Sequence, residues 1–143
     1  MIVLDTTVLV YAKGADHRLR EPCRDLIAAI AAGRIDATTT VEAIQEFAYV
    51  RAQRRGRPDA AALAGDYAEL LSPLLAVTEM DLRLGLSLFE RHERSGAFDA
   101  VLAAAAVGCQ ASALVSADGS FAQMPEIQHV VPDAAGVALM LGG

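Results

Sequence analysis

Short apolar runs alternate with longer amphipathic or alanine-rich stretches along this chain, a pattern typical of alternating strands and helices. The short runs are rich in β-branched side chains and stop at polar or turn residues, as buried strands do. We predict strands at residues 2–4, 35–39, 74–77, 113–115 and 127–131. We predict helices over residues 23–32, 41–53, 58–71, 78–92, 98–110 and 134–141.

Two of the predicted helices carry recognisable start signals. Pro22 suits the first turn of a helix that stops at Gly33. Thr78 and Asp81 have the spacing of a capping box at the start of the helix toward His92. The leucines of this last segment also alternate as in a strand, but its length and its charged end favour a helix.

The order of the predicted elements indicates the fold class. Strands separated by helices form βαβ units, in which parallel strands lie in one sheet covered by helices. No internal repeat, low-complexity tract or linker divides the 143 residues, and this length suits one compact domain. We therefore predict a single domain over residues 1–143, a three-layer α/β/α fold with a mainly parallel central sheet.

Composition excludes several classes of protein. A hydrophobic fraction of 54% excludes intrinsic disorder. Charged residues or glycine interrupt the apolar stretches well before the ~20 residues that a membrane helix needs. Cys23 and Cys109 are too few for a disulfide framework. We expect a protein of the reducing cytoplasm with no membrane association.

Net charge limits how the chain can bind a polyanion. Twelve basic and 18 acidic residues give −6, so the general basic character of nucleic-acid-binding domains is missing. A polyanionic partner would require either a local basic patch or metal ions held by the acids. The candidate patch consists of Arg51, Arg54, Arg55 and Arg57. These residues either bind phosphates or simply favour the end of a helix.

Several acids occupy positions where open parallel sheets bind ligands, beyond the carboxyl ends of the strands. Asp5 follows the first predicted strand, and Asp118 follows the strand at residues 113–115. Asp99 lies in the first turn of the helix that precedes the Asp118 strand. Glu42 and Glu46 lie one turn apart on the helix after the second strand, so helical spacing does not decide which of them joins the other acids. A turn, a helix terminus or a solvated helix face is the structural alternative for these acids.

An ionised cluster of these acids would need a compensating cation. Two carboxylates 4 Å apart repel by about 4 kcal/mol at an effective dielectric of 20. Only oxygen donors are available in this set, which favours Mg²⁺ or Mn²⁺ over Zn²⁺. A carboxylate-bound divalent ion suits phosphate chemistry. The hypothesis requires Asp5, Asp99 and Asp118 to lie close enough to share a cation.

Four segments resemble, in the same order, the acidic motifs of PIN-domain nucleases. They are MIVLDTTVLV at 1–10, IQEF at 44–47, FDAVLAAA at 98–105 and SADGSF at 116–121. The resemblance implies an endoribonuclease that depends on Mg²⁺ or Mn²⁺, with one or two metal ions held by Asp5, Glu46, Asp99 and Asp118. It also implies that hydroxyls of Thr6 or Thr7 and of Ser116 support the acids through hydrogen bonds. Ser120 stands where several relatives carry a further acid, which leaves a second metal ion open.

The compact length most resembles VapC-type toxins of bacterial toxin–antitoxin pairs. This resemblance implies an RNA substrate, a cognate VapB-type antitoxin and a homodimer. An apolar face of the helix at 58–71 is either a partner surface or part of the core. That face consists of Leu63, Tyr67, Leu70 and Leu71.

Other classes fit the sequence less well. Lys13, the only lysine, cannot stand at the late strand end where receiver-like phosphoacceptor domains carry one. Thr7 replaces the second Asp of haloacid-dehalogenase-type phosphatases, and no Gly-x-x-x-x-Gly-Lys motif is present. The remaining alternatives are a non-catalytic PIN-like binding module and another metal-dependent phosphoester hydrolase.

Overall fold

The computed structural model describes residues 1–142, in which four strands and seven α-helices form an α/β fold. The strands are β1 (Ile2–Leu4), β2 (Ala37–Thr38), β3 (Ala113–Val115) and β4 (His129–Val130). The helices are α1 (Thr6–Ala12), α2 (Arg20–Ala31), α3 (Val41–Arg55), α4 (Arg57–Leu71), α5 (Glu79–Arg91), α6 (Ala97–Gly108) and α7 (Ala134–Met140). A 3-10 helix, Gly119–Gln123, follows β3. Gly143, the last residue of the predicted domain, lies outside the described residues.

The sheet has the strand order β2-β1-β3-β4, and all of its named strand pairs are parallel. Ile2 of β1 lies opposite Ala37 of β2 on one side and opposite Ala113 of β3 on the other. The chain therefore leaves β1 toward one edge of the sheet and later returns to its other side. This reversal brings the carboxyl ends of β1 and β3 together, where ligands of such sheets bind.

The side chains of each strand alternate between two hydrophobic cores, as the pleat of a strand requires. Ile2 and Leu4 belong to the core beneath α1, α2, α3, α4 and α7. Val3 belongs to the core beneath α5 and α6, together with Leu114 of β3. Helices therefore cover both faces of the sheet, which confirms the predicted three-layer α/β/α fold.

Helix α1 is absent from the sequence prediction, which placed only a strand end at residues 5–7. The apolar run Val8-Leu9-Val10 is rich in β-branched residues and lacks a distinct helical period. In the structure Asp5 is extended, and its carbonyl already accepts a hydrogen bond from the Val8 N–H (3.1 Å). Val8, Leu9 and Ala12 are buried, so packing against the sheet stabilises a helix that local propensity does not indicate.

The predicted strand at residues 74–77 is wrong. Leu75 alone forms an isolated parallel bridge, with Thr40, and its N–H donates to the Thr39 carbonyl (2.9 Å). Thr40 is also the N-cap of α3, so the chain leaves the sheet at the next residue. A ladder longer than one residue cannot form there.

Two other predictions from local patterns have clear outcomes. The Thr78–Asp81 capping box is confirmed at the start of α5. The apolar face of α4 belongs to the core, because Tyr67 and Leu71 are buried and Leu63 and Leu70 pack against the same cluster. No helix within residues 1–142 combines the length and hydropathy needed to cross a membrane.

Candidate active site

A cleft of about 440 Å³ opens beside the carboxyl ends of β1 and β3, and all four predicted acids line it. Asp5 and Asp118 come from the segments after β1 and β3, whereas Glu46 comes from α3 and Asp99 from α6. Glu42 and Glu46 are both exposed, but Glu42, one turn before Glu46, is not part of the cleft wall. The structure therefore separates two glutamates that their spacing left equivalent.

Asp5 is a buried carboxylate held by hydroxyl groups. Only 4% of the residue is exposed, and its N–H donates to the Val115 carbonyl of β3 (2.9 Å). Its Oδ2 accepts hydrogen bonds from Thr7 Oγ1 (2.8 Å) and Ser116 Oγ (2.7 Å). Two donors on one oxygen fix the carboxylate and offset part of the cost of burying its charge.

The same two hydroxyls extend this network to Asp118. The Ala117 N–H donates to Thr7 Oγ1 (3.0 Å), and the Asp118 N–H donates to Ser116 Oγ (2.9 Å). Asp118 Oδ1 then accepts from the Ser120 N–H (2.9 Å) at the start of the 3-10 helix. Asp118 therefore has the turn-forming role that its sequence context allows, and it lines the cleft as well.

Glu46 has its own hydroxyl contact, from the neighbouring threonine. Thr6 is buried, and its Oγ1 lies 3.1 Å from both Glu46 Oε2 and the Ala43 carbonyl oxygen. Consecutive threonines at the start of α1 thus contact two different acids. The helix that the sequence prediction missed is the element that positions both hydroxyls.

Asp99 has a strongly perturbed acidity. The pKa of Asp99 is raised to about 7, chiefly by burial. The negative charges of Asp5, Asp118 and Glu46 and a hydrogen bond with Asp118 contribute to the same rise. Asp99 therefore takes up a proton at a higher pH than an ordinary aspartate does. The four acids are near enough for their charges to interact.

The donor set fits a hard divalent cation in its chemistry, since all four groups are carboxylates of one cleft. Within residues 1–142, however, no three His, Cys, Asp or Glu side chains are already placed to hold a metal ion. The shared cation of the sequence hypothesis stays a prediction.

The remainder of the cleft contains residues that the sequence analysis did not assign. Tyr11 and His17 line it, and their ring centroids lie 4.5 Å apart. Because α1 was missed, Thr7 and Tyr11 could not be placed one helical turn apart on the same face. His17 follows α1 in a loop, where the sequence carries no periodic signal.

The arginine cluster divides into different roles. Arg54 lines the cleft. Arg51 forms an ion pair with Asp59 and donates to the Lys13 carbonyl (3.0 Å), so it joins α3 to α4 and to the end of α1. The exposed Arg55 does not line the cleft. Of these four arginines, Arg54 is therefore the one that a ligand in the cleft could contact directly.

Comparison with known proteins identifies the family. The model of the PIN domain family matches residues 2–127, a range that includes all four cleft acids. The chain belongs to the PIN-domain family. This PIN domain is 57% identical over 146 aligned residues to ribonuclease VapC7 of Mycobacterium tuberculosis (strain ATCC 25618 / H37Rv), covering 99% of each protein. It is also 34% identical over 101 residues to ribonuclease VapC23 of the same species (strain CDC 1551 / Oshkosh), covering 69% of the chain and 78% of that relative.

Solved structures share the fold of this PIN domain. A crystal structure of VapBC2 from Rickettsia felis, bound to a promoter DNA fragment, superposes with a TM-score of 0.71 at 16% identity, covering 92% of this chain and 98% of that one. The crystal structure of Mycobacterium tuberculosis VapC20, a toxin that cleaves the sarcin-ricin loop, superposes with a TM-score of 0.70 at 19% identity, covering 89% and 98%. At these identities the likeness establishes the architecture alone.

Proposed function

We propose that this PIN domain is a toxin of the VapC type, an endoribonuclease that depends on Mg²⁺ or Mn²⁺. The observation that carries the proposal is the convergence of Asp5, Glu46, Asp99 and Asp118 on one cleft at the switch point of the sheet. The 57% identity to ribonuclease VapC7 supports RNA as the substrate class. Asp99 contributes the electrostatic signature of such a site, because its pKa is raised to about 7 by burial and by the other acids.

The four cleft acids are the residues that would hold the cation. When bound, it would neutralise charge on the phosphodiester and lower the pKa of an attacking water molecule. Two hydroxyl groups, those of Thr7 and Ser116, donate to Asp5 Oδ2 and orient this carboxylate. The Thr6 hydroxyl lies 3.1 Å from Glu46 Oε2. The protein's contribution is therefore to orient these carboxylates through neighbouring hydroxyl groups.

The reaction proposed is attack of water on phosphorus. The bond from phosphorus to the 3′-oxygen breaks, and this oxygen leaves with a proton. The products carry a 5′-phosphate and a 3′-hydroxyl end. Attack by the ribose 2′-hydroxyl would instead leave a cyclic phosphate, so the chemistry of the ends distinguishes the two routes.

A VapB-type antitoxin is the proposed partner. Its support is the membership of this chain in the family and its structural likeness to VapBC2. The homodimer and the cytoplasmic location remain predictions from the sequence resemblance and from cysteine usage.

The test is RNA cleavage by the purified chain with Mg²⁺, with Mn²⁺ and with EDTA. We expect cleavage only with a divalent cation, and Asp5→Asn is expected to lower the rate by ~100-fold or more. Asp133→Asn is the matched control, because Asp133 caps α7 outside the cleft and Asn is an equally good N-cap. Undiminished cleavage by Asp5→Asn, or by the parent in EDTA, would refute the mechanism. RNA that is bound but never cut would support the non-catalytic binding module instead.

A further inference from the structure

The cleft continues past the four acids into a region of different chemistry. Its wall there includes Val10 and Tyr11 of α1, Val50 and Arg54 of α3, and His17 from the loop after α1. Apolar, aromatic and basic side chains thus follow directly on a cluster of carboxylates. An RNA strand that crosses the acids must also pass over this region or leave the cleft.

The spacing along α3 sets the scale of this region. Glu46, Val50 and Arg54 recur every four residues and therefore share one face of the helix. At 1.5 Å per residue, Arg54 lies ~12 Å along the helix axis from Glu46. This distance spans a few nucleotides of a single strand, since stacked nucleotides rise 3.4 Å each.

His17 and Tyr11 form an aromatic pair at the cleft surface. Their rings are 4.5 Å apart with an interplanar angle of 31°, and His17 is exposed whereas Tyr11 is half-buried. His17 Nδ1 accepts a hydrogen bond from the Leu19 N–H (3.1 Å), which fixes the ring in the loop. The exposed ring of a fixed pair is a stacking surface for a base, and stacking of this kind tolerates any base.

Arg54 supplies a positive charge in the same cleft as this pair. No hydrogen bond or ion pair within residues 1–142 engages its guanidinium, in contrast to Arg51, which Asp59 holds. Asp16 also lines the cleft and carries a negative charge, which a phosphate would meet as repulsion. An unpaired arginine in a cleft is suited to a phosphate oxygen of a single strand.

We infer that Tyr11, His17 and Arg54 form a subsite for single-stranded RNA, in which a substrate base stacks on the Tyr11–His17 pair and Arg54 binds a phosphate. This inference rests on the proposed function, because it takes RNA as the strand that occupies the cleft. The subsite contributes binding and alignment of the strand. The bond that breaks lies at the acids, so Tyr11, His17 and Arg54 take no part in the chemical step.

The test is the affinity of the full chain for a fluorescent single-stranded RNA, measured by fluorescence anisotropy with Mg²⁺. The parent and every variant carry Asp5→Asn, so that the RNA is not cleaved during the measurement. His17→Asn keeps a hydrogen-bond acceptor for the Leu19 N–H but removes the ring, and we expect Kd to rise about 5- to 100-fold. His17→Phe keeps a ring and loses the acceptor, and it should bind within about 3-fold of the parent. This pair of variants separates stacking from support of the loop.

Arg54→Gln and Arg55→Gln change net charge equally, but only Arg54 lines the cleft. Arg54→Gln should weaken binding and lower the slope of log K against log salt by about 1, whereas Arg55→Gln should leave the slope unchanged. Asp16→Asn should tighten binding because it removes a repulsive charge. Melting curves of each variant verify that the fold is intact, and the Arg54 comparison does not depend on the loop that carries Asp16 and His17.

The subsite is overturned if His17→Asn binds as tightly as the parent, or if Arg54→Gln and Arg55→Gln weaken binding equally. It is also overturned if the substitutions weaken capture of a VapB-type antitoxin and leave RNA affinity unchanged. With Asp5 restored, His17→Asn should raise KM with little change in kcat. If the parent cuts RNA but the His17 and Arg54 variants bind RNA as tightly as the parent, the subsite alone is disproved. A chain that never cuts RNA, but shows the expected losses of affinity, disproves the proposed function alone.

Discussion

Ser116 Oγ donates a 2.7 Å hydrogen bond to Asp5 Oδ2 and thereby joins two residues that are 111 positions apart in the chain. Asp5 directly follows β1 and Ser116 directly follows β3, which are adjacent parallel strands. The same Oγ accepts a hydrogen bond from the Asp118 N–H (2.9 Å). One hydroxyl therefore positions two of the cleft acids, and its loss disturbs both.

Ser116→Ala is expected to lower RNA cleavage by ~10- to 100-fold, the usual effect of removing a hydrogen bond that orients a metal-binding carboxylate. The fold should persist, because the backbone pairing of β3 is unchanged. Ser112→Ala is the matched control, since Ser112 Oγ donates to the Met1 carbonyl at the opposite end of these strands (3.0 Å). Equal cleavage rates for the two variants would show that Ser116 does not position the acids.

Glu46→Gln should lower cleavage by ~100-fold or more, whereas Glu42→Gln should leave it nearly unchanged. The two residues lie one turn apart on α3, but only Glu46 lines the cleft and contacts Thr6 (3.1 Å). Initial rates with Mg²⁺ on the same RNA provide the measurement. A larger loss of cleavage rate with Glu42→Gln than with Glu46→Gln would show that Glu42, and not Glu46, is the functional acid of α3.

Sequence patterns predict the parts of this fold in which local signals and tertiary packing agree. The strand ending at Asp5, the capped start of α5 at Thr78 and the alanine-rich α6 all have such signals. Order along the chain and position after a strand also predict that Asp5 and Asp118 lie at one edge of the sheet. The structure brings them to the same cleft.

The parts that sequence patterns do not predict depend on contacts distant in the chain. Helix α1 forms because Val8 and Leu9 bury against the sheet, despite a β-branched run that favours a strand. The resemblance predicts a supporting hydroxyl at Thr6 or Thr7, but without α1 nothing local indicates that Thr6 contacts Glu46 or that Tyr11 approaches His17. The same limit applies to Leu75. Its apolar neighbours in the sequence resemble a strand, but within residues 1–142 it forms one isolated bridge, with Thr40.

Asp99→Asn should stabilise the metal-free protein at alkaline pH. The pKa of Asp99 is raised from its ordinary 3.8 to about 7 in the folded chain, chiefly by burial. Between these values the folded chain holds a proton that the unfolded chain releases, so the free energy of unfolding falls as pH rises and is lowest above pH 7. Screening by water reduces the contribution to ~1 kcal/mol, or roughly 3 °C in Tm.

Thermal melting in EDTA at pH 5 and pH 8 measures this effect. The parent should lose more stability between the two pH values than Asp99→Asn does. Asp66→Asn, which changes an exposed residue of α4, is the control and should follow the parent. A parent and an Asp99→Asn variant with the same pH dependence would show that Asp99 is not perturbed.

Gly85→Ala tests how closely α5 packs against α6, the helix that carries Asp99, and Gly65→Ala in α4 is the comparison. A Cβ at Gly85 would lie 2.7 Å from Val101 Cγ2 and 2.8 Å from its Cα, so part of the clash is with the backbone of α6. Gly85→Ala should therefore destabilise the fold by ~1–3 kcal/mol. A Cβ at Gly65, inside α4, meets nothing within 4 Å, and Gly65→Ala should stabilise by ~0.5–1 kcal/mol because alanine favours a helix. Urea unfolding of both variants provides the measurement, and a Gly85→Ala protein as stable as Gly65→Ala would mean that the helices separate without cost.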